Sequence, residues 1–169
     1  MKTIKEITEA LKESTQIEPW MDRIAQDERA GVVKVWTQFQ KRLEKIEALQ
    51  KAHDEKLQFD AGYLPYENAY IAGTDEAGRG PLAGPVVTAA VILPNYCQEL
   101  LGVNDSKLLS KEKRNEYAER IKKHALYYAV HFQSVEEIDR LNIYEATRQS
   151  MLKSIEALEA TPHFILADA

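Results

Sequence analysis

The chain has 169 residues, 44% hydrophobic and 29% charged, with a formal net charge of −5. That describes a globular chain, large enough for one ordinary domain or a small domain with an appendage, and not a disordered one. No apolar run approaches the ~18 residues that span a bilayer, the opening MKTIKEITEALKE is charged throughout and holds no secretory core, and the acidic balance argues against a surface that traps polyanions everywhere, though not against local basic patches.

Residues 1–60 carry eleven Lys/Arg against twelve Asp/Glu, one glycine (Gly31) and one proline (Pro19). Apolar residues recur in steps of three and four: Ile4, Ile7, Leu11, then Val33, Trp36, Phe39, Leu43, Ile46, Leu49 and Leu57. The spacing predicts a helix near 3–13, a bend around Pro19 and a long amphipathic helix near 29–58, with Lys41, Arg42, Glu44, Lys45, Glu47, Lys51 and Glu55 on the solvent side. Such a region reads as a small helical bundle packed on itself or on the next domain. A coiled-coil surface is the sharper alternative, weakly supported by about three irregular heptads.

Residues 61–69 hold Gly62 and Pro65 and read as a linker. From Tyr70 the pattern changes. Tyr70 to Thr74 is a short apolar run, and Val86 to Leu93 (VVTAAVIL) a β-branched run closed by Pro94. Ser110 can cap a helix over 111–124, acidic at its start and basic at its end. Leu126 to Gln133 reads as a third strand, Ser134 as the cap of a short helix, Asn142 as the cap of a longer one near 143–159, and His163 to Ala167 as a fourth strand. The order predicts an α/β fold: a mixed sheet with flanking helices, preceded by a small helical region.

Three places carry chemistry. In Gly73 to Pro85, GTDEAGRGPLAGP, a strand delivers two adjacent carboxylates, Asp75 and Glu76, into a turn of small residues. Neighbours on a strand face opposite ways, so the two share a site only if the backbone turns there. Gly78 and Gly80 permit a turn bare enough for another backbone to approach, and Arg79 offers a fork of donors to a phosphate. As composition alone, a solvated acidic turn reads equally well. The second place is Asp168, an acid closing the apolar run HFILA; a buried acid needs compensation, and several together usually hold a metal ion. Oxygen-only ligands select hard ions such as Mg²⁺ or Mn²⁺, and Asp75, Glu76 and Asp168 at the ends of two strands would suit two-metal phosphoryl chemistry. The third is Asn104-Asp105-Ser106-Lys107, where Ser106 and Lys107 could meet a phosphate ahead of a helix, although a polar turn is the commoner meaning. Cys97 is the single cysteine, which excludes an intrachain disulfide and fits a reducing cytosol; with four scattered histidines it argues against a structural zinc site.

GTDEAGRGPLAGPVVTAAVIL resembles the signature of the ribonuclease HII family, and NDSKLLS, LNIYEATRQSM and FILADA resemble its later blocks in order, over about residues 70–169. The helical residues 1–60 resemble an N-terminal extension found on some bacterial members. The resemblance implies a ribonuclease H-like fold with a five-stranded mixed sheet, and a catalytic domain over 70–169 behind a 61–69 linker. It implies a cytoplasmic endoribonuclease acting on RNA–DNA hybrids and on DNA duplexes containing single ribonucleotides, incising 5′ of the ribonucleotide to leave 5′-phosphate and 3′-hydroxyl ends. By resemblance Asp75, Glu76 and Asp168 are the catalytic metal ligands for two Mn²⁺ or Mg²⁺ ions, with Asp75 as the bridging candidate. Gly78, Arg79 and Gly80 read the RNA–DNA junction at the 2′-OH, Ser106 and Lys107 lie near the phosphate backbone, and Asn142, Ala146 and Met151 belong to a structural helix. The family also has a fourth acid and a stacking tyrosine farther on than Asp168. The chain therefore reads as incomplete at the C-terminus, weak in metal binding and nearly inactive by itself. The alternatives are another two-metal nuclease or strand transferase of the same fold, which would act on all-DNA substrates, or a non-catalytic nucleic-acid-binding fragment, which would need no metal.

Overall fold

Helix caps written into the sequence set most of the element boundaries. In a computed structural model, which describes residues 2–66, 69–81 and 83–168, α1 spans Ile4–Glu13 behind a reciprocal cap: the Glu6 amide donates to Thr3 Oγ1 at 3.2 Å and the Thr3 amide to Glu6 Oε2 at 2.6 Å. Positions 67 and 68 of the expected linker, Leu82 of the glycine-rich motif and Ala169 lie outside the described residues. Pro19 opens a 3₁₀ turn, Pro19–Met21, where its missing N–H costs nothing; α2 (Asp22–Ala25) and α3 (Ala30–Ala61) follow.

The chain divides into two compact units, Met1–His53 and Asp54–Ala169, with the division inside α3. The first unit closes on its own core of Ile7, Leu11, Met21, Ile24, Val32, Phe39 and Leu43, flanked by Trp20, Val35 and Trp36. The apolar stripe of α3 is therefore one position away from the expected one at its start: Val32 is fully buried and Val33 is 47% exposed. Arg42, expected on the solvent side, is turned inward instead. Its guanidinium donates to the carbonyls of Leu11, Lys12 and Ser14, where the end of α1 leaves acceptors without helical partners.

In the second unit β1 (Ile71–Ala77), β2 (Val86–Ile92), α4 (Lys111–His124), β3 (Tyr127–Gln133), α5 (Val135–Leu141), α6 (Ile143–Glu156) and β4 (Phe164–Ala167) follow the expected order. Ser110, Ser134 and Asn142 each accept the amide of the residue three positions on, and so start α4, α5 and α6. The sheet is mixed, in the order β3-β2-β1-β4, with β1–β2 and β2–β3 antiparallel and β1–β4 parallel. Four strands form among the described residues, against the five that the resemblance implies. No helix is long and apolar enough to cross a membrane among those residues.

One face of the sheet is covered by α6, which packs across β1, β2 and β3. That face is built of small or fully buried residues, Ala72, Thr74, Val86, Thr88, Ala90 and Ile92, opposed by Ala146, Thr147, Ser150 and Ser154 of α6. Short side chains on both sides let the helix approach closely. The price is a polar interior, partly met by a chain of hydrogen bonds, Thr88 Oγ1 to Ser150 Oγ at 2.9 Å and Ser150 Oγ to His131 Nδ1 at 2.8 Å, while the Thr74 hydroxyl has no partner among the described residues. The other face stays open, and Tyr128, Val130 and Phe132 of β3 are 47%, 49% and 68% exposed.

Candidate functional site

β1 does not end at Thr74, as its glycine-rich sequel suggests, but runs on through both acids to Ala77. The partner strand supplies the reason: Asp75, Glu76 and Ala77 stay in register with Ala89, Thr88 and Val87 of β2. An extended backbone at Asp75–Glu76 sends the two side chains to opposite faces. Asp75 is exposed, on the open face. Glu76 is half-buried, in register with Thr88 on the face that α6 covers.

Asp168 comes to Asp75 by parallel pairing. β4 pairs with β1 from Ile71↔Phe164 to Thr74↔Ala167, and the Asp168 amide extends the ladder by donating to the Thr74 carbonyl at 3.3 Å. The next positions in that register are Asp75 and Asp168, on strands about 4.8 Å apart. Two acids 93 positions apart in the chain thus become neighbours. β4 is held at its start as well: the Tyr70 amide donates to His163 Nδ1 at 2.9 Å, the His163 amide returns a bond to the Tyr70 carbonyl at 2.8 Å, and Tyr63 lies against Phe164 at 5.2 Å between ring centres.

The three carboxylates do not converge to one point. Among the described residues, the group of three acid, histidine or cysteine ligand atoms lying mutually within 4.8 Å is Cys97, Glu99 and His124 instead. Asp75 Oδ1 accepts the Glu76 amide at 2.7 Å, and Glu76 Oε1 meets Arg79 Nη1 at 3.4 Å, a long contact with the guanidinium 42% exposed.

The two glycines of the loop differ in kind. Gly78 has φ +91° and a Cβ there would sit 2.4 Å from the Pro85 carbonyl oxygen, so the fold itself demands glycine. A Cβ at Gly80 would meet nothing within 4 Å, and its φ is not positive. Among the described residues, nothing requires glycine at Gly80.

Ser106 and Lys107 begin a 3₁₀ turn, Ser106–Leu108, capped by Asp105, whose carboxylate accepts the Lys107 amide at 2.8 Å. The Ser106 carbonyl is tied to α4 through Arg114 at 3.2 Å, and α4 itself starts later, behind Ser110. Both side chains are exposed, on a turn ahead of α4 rather than at its N-terminus.

The Ribonuclease HII profile matches residues 72–169, more than half of the chain, and the Ribonuclease HII N-terminal domain profile matches residues 3–64. The chain belongs to the ribonuclease HII family. It is 43% identical over 168 residues to the Ribonuclease HII of Bacillus licheniformis, covering 99% of this chain and 66% of that protein. To the Ribonuclease HII of Halalkalibacterium halodurans it is 43% identical over 169 residues, covering 99% of this chain and 64% of the relative. The chain thus spans slightly less than two thirds of these relatives' length. Among solved structures, the ribonuclease H2 of Pyrococcus horikoshii OT3 aligns with TM-score 0.53 and 30% identity over 59% of this chain and 49% of that one, in agreement with a ribonuclease H-like sheet and its flanking helices.

Proposed function

We propose that the chain is part of a metal-dependent endoribonuclease that cleaves the RNA strand of RNA–DNA hybrids and incises on the 5′ side of single ribonucleotides in duplex DNA. Products would carry 5′-phosphate and 3′-hydroxyl ends, and the protein would work in the cytoplasm. Residues 70–169 would be the catalytic domain, 61–69 its linker and 1–60 a helical extension. The observation that carries the reading is the β1–β4 register, which makes Asp75 and Asp168 neighbours on an open sheet within the family-matched segment.

The donor set fits hard divalent ions, because Asp75, Glu76 and Asp168 offer carboxylate oxygens only. These three would hold Mg²⁺ or Mn²⁺, which when bound activates a water and offsets charge on the phosphate. Asp75 and Asp168, through the ions they would hold, would set where the scissile phosphate lies at the strand ends. Glu76 would join the site only if the backbone at the end of β1 turned it from the α6-covered face, and Arg79, then free of its long contact with Glu76, would be available to a neighbouring phosphate. Gly78 would hold the turn. Gly80, open on its outer side, would let the backbone approach the ribose 2′-OH that distinguishes RNA from DNA. Ser106 and Lys107 would contact the phosphate backbone away from the cut.

The test places residues 1–169 in a chain of the relatives' full length and assays it with Mn²⁺ on a duplex holding one ribonucleotide. Asp75→Asn should lower cleavage by about 10²–10³-fold or more, while the melting temperature holds or rises because a repulsive charge is gone. Gly80→Val should leave stability unchanged and shrink the preference for the ribonucleotide-containing duplex over the all-DNA one. Undiminished cleavage by the Asp75 variant would overturn the site. An unchanged preference in the Gly80 variant would remove the loop from 2′-OH reading.

A further inference from the structure

The acids on β1 and β4 are not the only ligand set. Cys97, Glu99 and His124 come from two segments far apart in sequence, yet their Sγ, carboxylate oxygen and ring nitrogen lie mutually within 4.8 Å. The geometry points to a second metal site, built by these three side chains for a borderline-soft divalent ion of the Zn²⁺ type.

The backbone holds the ligands in place without help from an ion. Cys97 precedes the 3₁₀ turn Gln98–Leu100, closed by the Leu100 amide donating to the Cys97 carbonyl at 3.1 Å, so Cys97 and Glu99 sit on one tight turn. Leu100 is buried beneath it. His124 is the last residue of α4. Two side chains of α4 fasten the helix to the turn segment: Arg120 Nη1 donates to the Glu99 carbonyl at 3.1 Å, and the Tyr117 hydroxyl to the Leu101 carbonyl at 3.1 Å. A site so braced is ordered before the ligand arrives.

The donor types decide the ion. Thiolate, imidazole and carboxylate together match Zn²⁺, whereas Mg²⁺ and Ca²⁺ take oxygen alone. The spacing fits as well. With Zn–S near 2.3 Å and Zn–O near 2.0 Å, a tetrahedral S–O edge is about 3.5 Å. Cys97 Sγ stands 3.4 Å from Glu99 Oε2, donating its proton there. The ion's two positive charges balance one thiolate and one carboxylate. Lys123 also faces Glu99 electrostatically, and the neutralised site no longer attracts it. Cys97 is buried, His124 half-buried and Glu99 exposed, so the fourth coordination position opens to solvent and takes water.

The site is distinct from the acid pair. Ile92, the end of β2, pairs with Ala72 at the start of β1, so the turn after β2 lies off the end of the sheet opposite to Asp75. Its effect would be to pin the turn after β2 to the C-terminal end of α4.

The experiment titrates the 169-residue chain with Co²⁺ as the spectroscopic probe, under a non-thiol reductant. One equivalent of Co²⁺ should produce a thiolate-to-cobalt charge-transfer band, which Zn²⁺ abolishes by displacement and excess Mg²⁺ does not. Cys97→Ser should remove the band. His124→Gln and Glu99→Gln, both at accessible positions where folding is easily verified by circular dichroism, should each weaken binding about tenfold or more. Asp75→Asn should leave the band and the affinity unchanged. Absence of the band in the wild-type chain would overturn the site, and so would undiminished affinity in both the His124 and the Glu99 variant, which would mean that a lone thiol had bound the ion.

Discussion

The two faces of one sheet have been built by opposite rules. Under α6 the facing side chains are short, with Ala72, Thr74, Thr88 and Ala90 against Ala146, Ser150 and Ser154; Thr88, Ser150 and His131 share a chain of hydrogen bonds, while the buried Thr74 hydroxyl has no partner among the described residues. On the other face β3 presents Tyr128, Val130 and Phe132, large and about half exposed or more, two strands away from Asp75 and three from the register position of Asp168. The sealed face fixes where the strands lie. The open face is where the proposed acid site lies, because a ligand needs a surface that nothing in the chain has already filled. Consecutive residues of one strand can therefore be under unrelated demands.

The adjacent alanines of β2 give the sharpest contrast. Ala90 is fully buried under α6, whereas Ala89 pairs with Asp75 on the open face. Ala90→Leu should cost about 1–3 kcal/mol by overpacking, and Ala89→Leu less than about 0.5 kcal/mol, read from urea midpoints at constant slope. Equal costs would mean that the open face is covered in solution. Ser150→Ala comes next. It strips partners from the buried Thr88 hydroxyl and from His131 Nδ1, and should cost about 1–2 kcal/mol, with Ser150→Thr recovering part of it if the methyl fits.

A smaller effect follows from His131. Burial, and then the charge of Lys153, hold its imidazole below the ordinary 6.5. The unfolded chain then takes up the proton first, so the contribution is complete above pH 6.5 and shrinks as pH falls beneath it toward the folded value. Between about pH 7 and about pH 5 the wild-type chain should lose more stability than His131→Gln; parallel losses would remove His131 as the cause. Smallest in stability is Phe132→Ser, within about 0.5 kcal/mol. Its effect should appear in light scattering instead, as weaker self-association, because it takes apolar area out of an exposed patch.

Much of this was legible because local signals do not depend on packing. A serine or asparagine ahead of a charged, helix-forming run marks a helix start wherever the run ends up, and Ser110, Ser134 and Asn142 all cap as read. β1 was read too short because its own residues signal a turn, while the strand is prolonged by β2, a partner the local pattern does not contain. Val32 and Val33 both fit a loose apolar stripe, and only packing against Ile7 and Leu11 puts Val32 inside. Arg42 looked like any surface cation, since nothing in α3 announces that the end of α1 lies beside it. Asp75, Glu76 and Asp168 stood out as acids set among apolar and glycine residues. Cys97, Glu99 and His124 gave no such signal: scattered donors meet only after the chain has folded.

The pairing of β1 with β4 also bears on the order in which the protein can become competent. Hairpins such as β1–β2 close over a short loop and form early, whereas the β1–β4 ladder joins residues 93 positions apart and must wait for the intervening helices to find their places. Asp168 enters register with Asp75 only when that late ladder zips to its end. A newly made chain would therefore acquire its sheet and its helices before its acids stand side by side. If those acids do cut nucleic acid, immature copies are harmless to it, and cleavage activity would trail far-ultraviolet circular dichroism in a refolding time course.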